Sequence, residues 1–474
     1  MKNKTFYDIH AHAFNLSHPN LSVFLSRNDW LDKAIDTFHI VKLVLVIALL
    51  IVLSPLFVLV YLLCLLYILL TFKKLRKTLK NFSHFIFSKY LSKIIHKIFR
   101  TLTFYEIPLE YQFLVLDHFL KTKEPLFNMK DNQIIIGDRS YDKIVLCPLV
   151  IDFGRKNISE GVFYNATPKK PIANQVGDLL YAIRTYYRFN INVANDKMSL
   201  SDEVTDFEES KRTKLLEIYP FMGIDPQNYD SWEEIEALLD KYFSEFRKDE
   251  AAETRRARLY NKMGVLDSNM YNKTEGHYLN IFAGIKVYPQ LGFDPYPNDL
   301  EKRKKVEALY KYCIEKRIPI ISHCSDGGYK PEDNDELTSP LGRWKQVLEA
   351  KDENSESLFA ELTLCFAHFG SQSSKETVWR EAIIELTKRY PNIYTDISCN
   401  EMTTEYYNEL GKLFNAKNPQ LHERILFGSD FSINMLATEV ESYNQYLKAF
   451  VDADLAYKTN LCEQNPERFL FGAS

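Results

Sequence analysis

Two histidines one residue apart, His10 and His12 in Tyr7-Asp8-Ile9-His10-Ala11-His12, are the first residues of this chain that could do chemistry. Alternate residues of a strand share a face, so both imidazoles can reach one ion. Four more candidates follow: Lys286 in Gly284-Ile285-Lys286-Val287-Tyr288-Pro289, His323 in Pro319-Ile320-Ile321-Ser322-His323-Cys324, His368 in Phe366-Ala367-His368-Phe369-Gly370, and Asp430 in Leu426-Phe427-Gly428-Ser429-Asp430. Imidazole with carboxylate is the donor set of a divalent metal, zinc or a similar ion. A metal so held leaves a position for water and lowers its pKa towards neutrality. A carboxylate at the mouth can take that proton and pass it to a leaving group. Each residue also has an ordinary reading. A lone histidine at a strand end is usually a satisfied structural group, Asp430 could cap a helix, and Lys286 could be a surface or phosphate-contacting lysine. The specific signal is the combination and its order. Weaker candidates are Ser325, Asp326, Gly327 and Gly328 after His323, the pair Arg343 and Trp344, and Asp152, Tyr288 and Asp396. For Arg343 and Trp344 an ordinary helical role is the stronger expectation.

Those residues need elements to position them, and short apolar runs supply the strands. The runs are Thr5–Ile9, Ile144–Ile151, Leu216–Gly223, Ile281–Tyr288, Ile318–Ser322, Leu362–Ala367, Asn392–Asp396 and Arg424–Phe427. The third could also be read as helix. Helical patterns lie between them, as at Trp232–Arg247, Leu300–Lys316 and Lys375–Arg389. Strand alternating with helix implies parallel strands, and eight such repeats predict an α/β fold, a (β/α)8 TIM barrel. Barrel chemistry belongs at the C-terminal strand ends, where the candidates fall; Lys286 is expected some six residues into its strand. The organisation expected is residues 1–13 as strand one, 14–139 as a large insertion after it, and 140–474 as the rest of the barrel. Ser199–Lys214, acidic and polar, is expected as an exposed excursion, and Lys248–His277 as a charged insertion.

The insertion carries a stretch, Leu43–Phe72, without one charged side chain. Pro55 would break or kink a helix near its middle. Lys73, Lys74, Arg76, Lys77 and Lys80 follow, the mark of a cytoplasmic boundary. A single crossing would part His10 and His12 from every other ligand, so the stretch must enter and leave on one face. A hairpin turning at Pro55 has arms of 12 and 17 residues, roughly 18 and 25 Å long. That predicts a monotopic, membrane-inserting hydrophobic hairpin on the cytoplasmic face; a hairpin buried in the protein's own core or in an oligomer interface would leave the chain cytoplasmic. At 82–102, Phe87, Leu91, Ile94, Ile95, Ile98 and Leu102 share one helical face and Lys89, Lys93, His96, Lys97 and Arg100 the other. A basic amphipathic helix of this kind suits an anionic membrane surface.

The rest of the composition is that of a globular chain of 474 residues, 46% apolar and 26% charged. A net charge of −4 gives no pull towards nucleic acid. Seven cysteines without a C-x-x-C pair point to a reducing compartment, not a disulfide framework. No secretory signal is expected at the start, because residues 1–38 are polar.

The ligand pattern, with the closing Asn465-Pro466-Glu467-Arg468-Phe469-Leu470-Phe471-Gly472, resembles the amidohydrolase superfamily, in its amidohydrolase-related branch. That branch also holds enzymes like aminocarboxymuconate semialdehyde decarboxylase. The resemblance covers residues 5–12 and most of 140–474. It implies a metal-dependent hydrolase with His10, His12 and His323 as ligands, Asp430 as ligand and proton shuttle, and His368 binding a second metal or orienting the substrate. Lys286 would bridge two ions as a carbamate, or stay free beside one. The implied cofactor is a divalent metal, zinc first, as one or two ions. The implied substrate is a small molecule, amphiphilic if the hairpin sits in lipid, cleaved at an amide, lactone or ester. Non-oxidative decarboxylation, with Arg343 receiving the substrate carboxylate, and a non-catalytic membrane scaffold are the alternatives.

Overall fold

The computed structural model describes residues 4–13, 107–122, 133–136, 139–152, 172–194, 197–263, 280–328, 335–372, 376–400, 403–431 and 443–472. All fall within the unit formed by Met1–Leu21 and Tyr105–Ser474. The stretches 43–72 and 82–102 lie outside the described residues, and no described helix is long and apolar enough to cross a membrane.

Each of the eight apolar runs is a strand. They are β1 (Thr5–Ala11), β2 (Lys143–Pro148), β3 (Leu216–Ile218 continuing as Phe221–Gly223), β4 (Gly284–Val287), β5 (Ile320–Ser322), β6 (Leu364–Phe366), β7 (Ile393–Asp396) and β8 (Ile425–Leu426). Every neighbouring pair from β1 to β8 is parallel. β3 is interrupted at Tyr219-Pro220, because proline has no N–H to give to the ladder. The strand resumes through a bridge between Leu149 and Phe221. Ile9 N donates to Phe427 O at 3.1 Å and Asp430 N to His10 O at 2.7 Å, which joins β8 back to β1. The sheet therefore closes on itself as an eight-stranded barrel with no free edge.

Closure explains the composition of the strands. Buried on both faces, they read as continuous apolar runs instead of alternating ones. Helices supply the outer layer and are set by local signals. Asp299 caps Leu300–Lys316 by accepting from the N–H of Glu301 and Lys302, and Arg317 ends that helix in the left-handed region. Helix Leu109–Thr122 packs on helix Ile172–Arg188.

At the floor of the barrel Arg256, from helix Ala252–Lys262, donates to Thr5 Oγ1 at 2.8 Å and pairs with Glu467 at 3.2 Å and Glu217 at 3.4 Å. Tyr7 OH donates to Glu467 at 3.0 Å. Part of the charged region Lys248–His277 is thus a structural plug; residues 264–279 are outside the described set. Ser199–Lys214 is not simply exposed either. It ends a hairpin and forms helix Phe207–Thr213, with Ser210, Lys211 and Lys214 buried. The lysines cross apolar ground on their alkyl stems: the Lys211 ammonium pairs with Glu208 at 2.8 Å and lies over the Phe207 and Tyr260 rings, and Lys214 Nζ donates to Phe189 O at 2.6 Å.

Candidate metal centre

β1 does not run straight into its histidines. Its register shifts between Asp8 and Ala11, an irregularity that re-aims side chains. Asp8 anchors it from behind: its carboxylate accepts from Ser429 N (2.9 Å), Ser429 Oγ (2.6 Å), Tyr443 OH (2.9 Å) and His10 N (3.3 Å). Burial pushes the Asp8 carboxyl up to about 6. The same contacts fix the turn leading to Asp430, whose backbone sits at φ +48°. Gly428 lies between them because nothing larger fits: a Cβ there would come within 2.7 Å of His10 Cβ.

The imidazoles share one pattern. His10 Nδ1 donates to Asp396 Oδ2 at 2.8 Å. His12 Nδ1 donates to Leu149 O at 2.9 Å. His323 Nε2 donates to Gly327 O at 2.8 Å. His368 Nδ1 donates to Ser398 O at 3.2 Å and to Ser398 Oγ at 2.9 Å. Since these partners are acceptors, each contact assigns the tautomer and leaves the other ring nitrogen as a lone pair facing inward. His10 Nε2 is buried with no hydrogen-bond partner. His12 Nε2 lies 3.6 Å from Asp430 Oδ1. His323 Nδ1 and His368 Nε2 lie 3.1 Å apart, two lone pairs that repel unless a cation stands between them. Burial, then the neighbouring His10 and other cationic groups, hold the His12 and His368 imidazoles well below their usual range, as ligands must be.

Around this point the ligand atoms of His10, His12 and Asp430 lie within 4.8 Å of one another, as do those of His10, His368 and Asp396, and those of His368, Cys399 and Asp430. The residues fit a metal ion. Asp396 is better read as the carboxylate that orients His10 than as a ligand. Its Oδ2 holds His10, and its Oδ1 accepts from the N–H of His368 and Ser398, each at 3.0 Å, and from Ser398 Oγ. Burial works against its charge, but His10, His368 and Ser398 outweigh it and keep the carboxyl well below the usual range.

Lys286 is the third of the four residues of β4, since the ladder begins at Gly284 and not at Ile281. It is buried, and its Nζ has no hydrogen-bond partner. Burial lowers its ammonium to about 8, against the pull of Asp396 and Asp430. The six residues His10, His12, Lys286, His323, His368 and Asp430 are therefore gathered at one barrel mouth.

The weaker candidates divide. Tyr288 stacks on His323 with ring centroids 4.5 Å apart. Ser325, Asp326, Gly327 and Gly328 form the turn against that imidazole, Gly328 at φ +122°. Asp152 accepts from Asp225 N at 3.1 Å. Arg343 pairs with Glu336 at 3.2 Å and Asp294 at 3.7 Å, and Trp344 is core. Sequence reasoning missed Asp8, Ser398 and Cys399. Only the nearness of Asp8 to His10 was a signal; the other two have no spacing that marks them.

Residues 280–472 match the Amidohydrolase family. No curated protein sequence matches the chain. Among solved structures, one from Lactobacillus casei described as a metal-dependent hydrolase is 17% identical over 59% of this chain and 70% of its own, with a TM-score of 0.27. An amidohydrolase of Mycobacterium avium subsp. paratuberculosis is 11% identical over 70% of each chain, with a TM-score of 0.31. The matched segment contains β4 to β8 and, with them, Lys286, His323, His368, Asp396 and Asp430, so it is this part of the chain that carries the likeness to the Amidohydrolase family.

Proposed function

We propose that this metal-dependent enzyme is a hydrolase that cleaves a C–N or C–O bond of a small amide, lactone or ester. The observation that carries the reading is the inward convergence of four imidazole lone pairs, each ring tied behind by its other nitrogen. His10, His12, His323 and Asp430 would hold a divalent ion, zinc by donor type, with His368 beside them. Such an ion supplies Lewis acidity and a nucleophile competent near neutral pH. The chain supplies the rest. Asp430, 3.6 Å from His12 Nε2, accepts a proton and returns it to the leaving group. His368 is placed to polarise the scissile group. Buried walls around the mouth strengthen these interactions by excluding water. The test is a panel of amides, lactones and esters offered to chelator-stripped protein before and after zinc is restored. Turnover of one class only after restoration, lost in Asp430→Asn, is expected; no turnover of any class sinks the reading.

One observation favours a second reading. The Lys286 ammonium is buried without a hydrogen-bond partner, a cation able to receive a substrate carboxylate before loss of carbon dioxide. Arg343, the residue first considered for that role, is committed to Glu336 and Asp294. Carbon dioxide release from an acid substrate, abolished in Lys286→Met, would select it.

The proposal includes attachment of the enzyme to the cytoplasmic face of a membrane through 43–72. The uncharged stretch and the lysines after it support this, and an amphiphilic substrate goes with it.

A further inference from the structure

We propose that Cys399 is a thiolate ligand of a second metal position, shared with His368 and Asp430 at the same mouth. It rests on the reading of that mouth as a metal centre and adds a soft ligand to it.

The three ligand atoms, a His368 ring nitrogen, the Cys399 sulfur and an Asp430 oxygen, lie within 4.8 Å of one another. A first position, formed by His10, His12 and Asp430, shares only the carboxylate. Asp430 would thus serve both positions, the first with nitrogen and oxygen donors, the second with sulfur as well. His10 Nε2, fully buried and without a hydrogen-bond partner, lies beside this cluster, its ring centroid 4.7 Å from that of His368.

The turn that carries Cys399 is built to hold it there. Asp396 Oδ1 accepts from Ser398 N, Ser398 O and Oγ hold His368, and Asn400 Nδ2 donates to His368 O at 3.2 Å and to Ile397 O at 3.1 Å. One turn therefore positions both His368 and Cys399. All three residues of the cluster have left-handed backbones, at φ +62°, +54° and +48°, a conformation that a β-carbon disfavours. The other described cysteines, Cys147, Cys313, Cys324, Cys365 and Cys462, are fully buried, whereas Cys399 is half-buried at the mouth. On binding, its thiol gives up a proton to solvent and the sulfur becomes an anionic donor. A thiolate selects zinc or cadmium over magnesium, calcium or manganese.

The test uses the full-length chain in detergent, with Cys64→Ser to remove the one cysteine outside the described residues. Stripped protein is titrated with Cd²⁺ and, separately, Co²⁺. The expected result is a thiolate-to-metal charge-transfer band that saturates with the second ion, and protection of Cys399 from an alkylating reagent as the ion binds. In Cys399→Ser the band disappears and the second ion binds on the order of 100-fold more weakly, while the first is retained. Metal bound with no charge-transfer band, or Cys399 alkylated equally fast with and without metal, overturns the thiolate and leaves the metal centre standing. Failure of the chain to bind either ion overturns both. The protection measurement keeps Cys399 intact, so misfolding of Cys399→Ser would not blur the outcome.

Discussion

His10 is held by two kinds of contact that oppose each other. Its Nδ1 is fixed by Asp396, and its Nε2 is left buried and bare. A bare buried nitrogen is unfavourable in a core but necessary in a ligand. The carboxylate behind the ring fixes both its tautomer and its direction. Asp396→Asn keeps the shape and removes the charge, so metal affinity is expected to fall about 10–100-fold, read by calorimetric titration of the stripped protein. Unchanged affinity would mean that Asp396 only fills space. The amidohydrolase pattern made the six candidates legible, because five of them follow the end of an apolar run and Lys286 is the one charged residue inside another. Asp396 was legible only as a weaker candidate, and Ser398 not at all. Their roles depend on atoms remote in sequence: Asp396 meets His10 of β1 across 386 residues, and Ser398 meets His368 across 30.

At the scale of elements, the strand ends are spaced by their smallest residues. Gly428 passes so close to His10 that a methyl group would press on Cβ at 2.7 Å and on Ser398 Cβ at 3.3 Å. Gly428→Ala is expected to cost about 1–3 kcal/mol of stability and, if His10 holds metal as proposed, to weaken metal binding. Thermal denaturation with and without metal reads both effects; a variant stable but metal-free would still agree, whereas one normal in both would not. A different element carries a pH effect. Burial depresses Lys214, after helix Phe207–Thr213, to about 8 from 10.5. Between those values the unfolded chain binds more protons than the folded one, so stability rises with pH. The contribution is complete above 10.5 and is lost as pH falls through about 8. Against Lys214→Met, the wild type should gain up to about 3 kcal/mol across that window, measured by urea denaturation at a series of pH values. Parallel slopes for the two proteins would show that the ammonium is solvated.

For the whole molecule, closure of β8 on β1 brings His10 and His12, near the start of the chain, against Asp430 near its end. The connection between β1 and β2 can therefore be long without disturbing the centre, since loop-closure cost grows only slowly with length. A variant lacking 43–72 is expected to keep its metal content and leave the membrane fraction, while the full chain resists carbonate extraction and yields to detergent. A full chain released by carbonate alone would rule out an inserted hairpin.

Eight strands, their parallel order and six candidate residues at the barrel mouth could be read from the sequence. Strands buried on both faces must be apolar throughout, and a polar residue ending such a run stands out. The folded chain adds the hydrogen-bonded nitrogen of each ring, the place of Asp396 behind His10, and that of Cys399 beside His368 and Asp430. Those are distances between strand ends remote in sequence, set by closure of the barrel and by left-handed turns that no local spacing encodes.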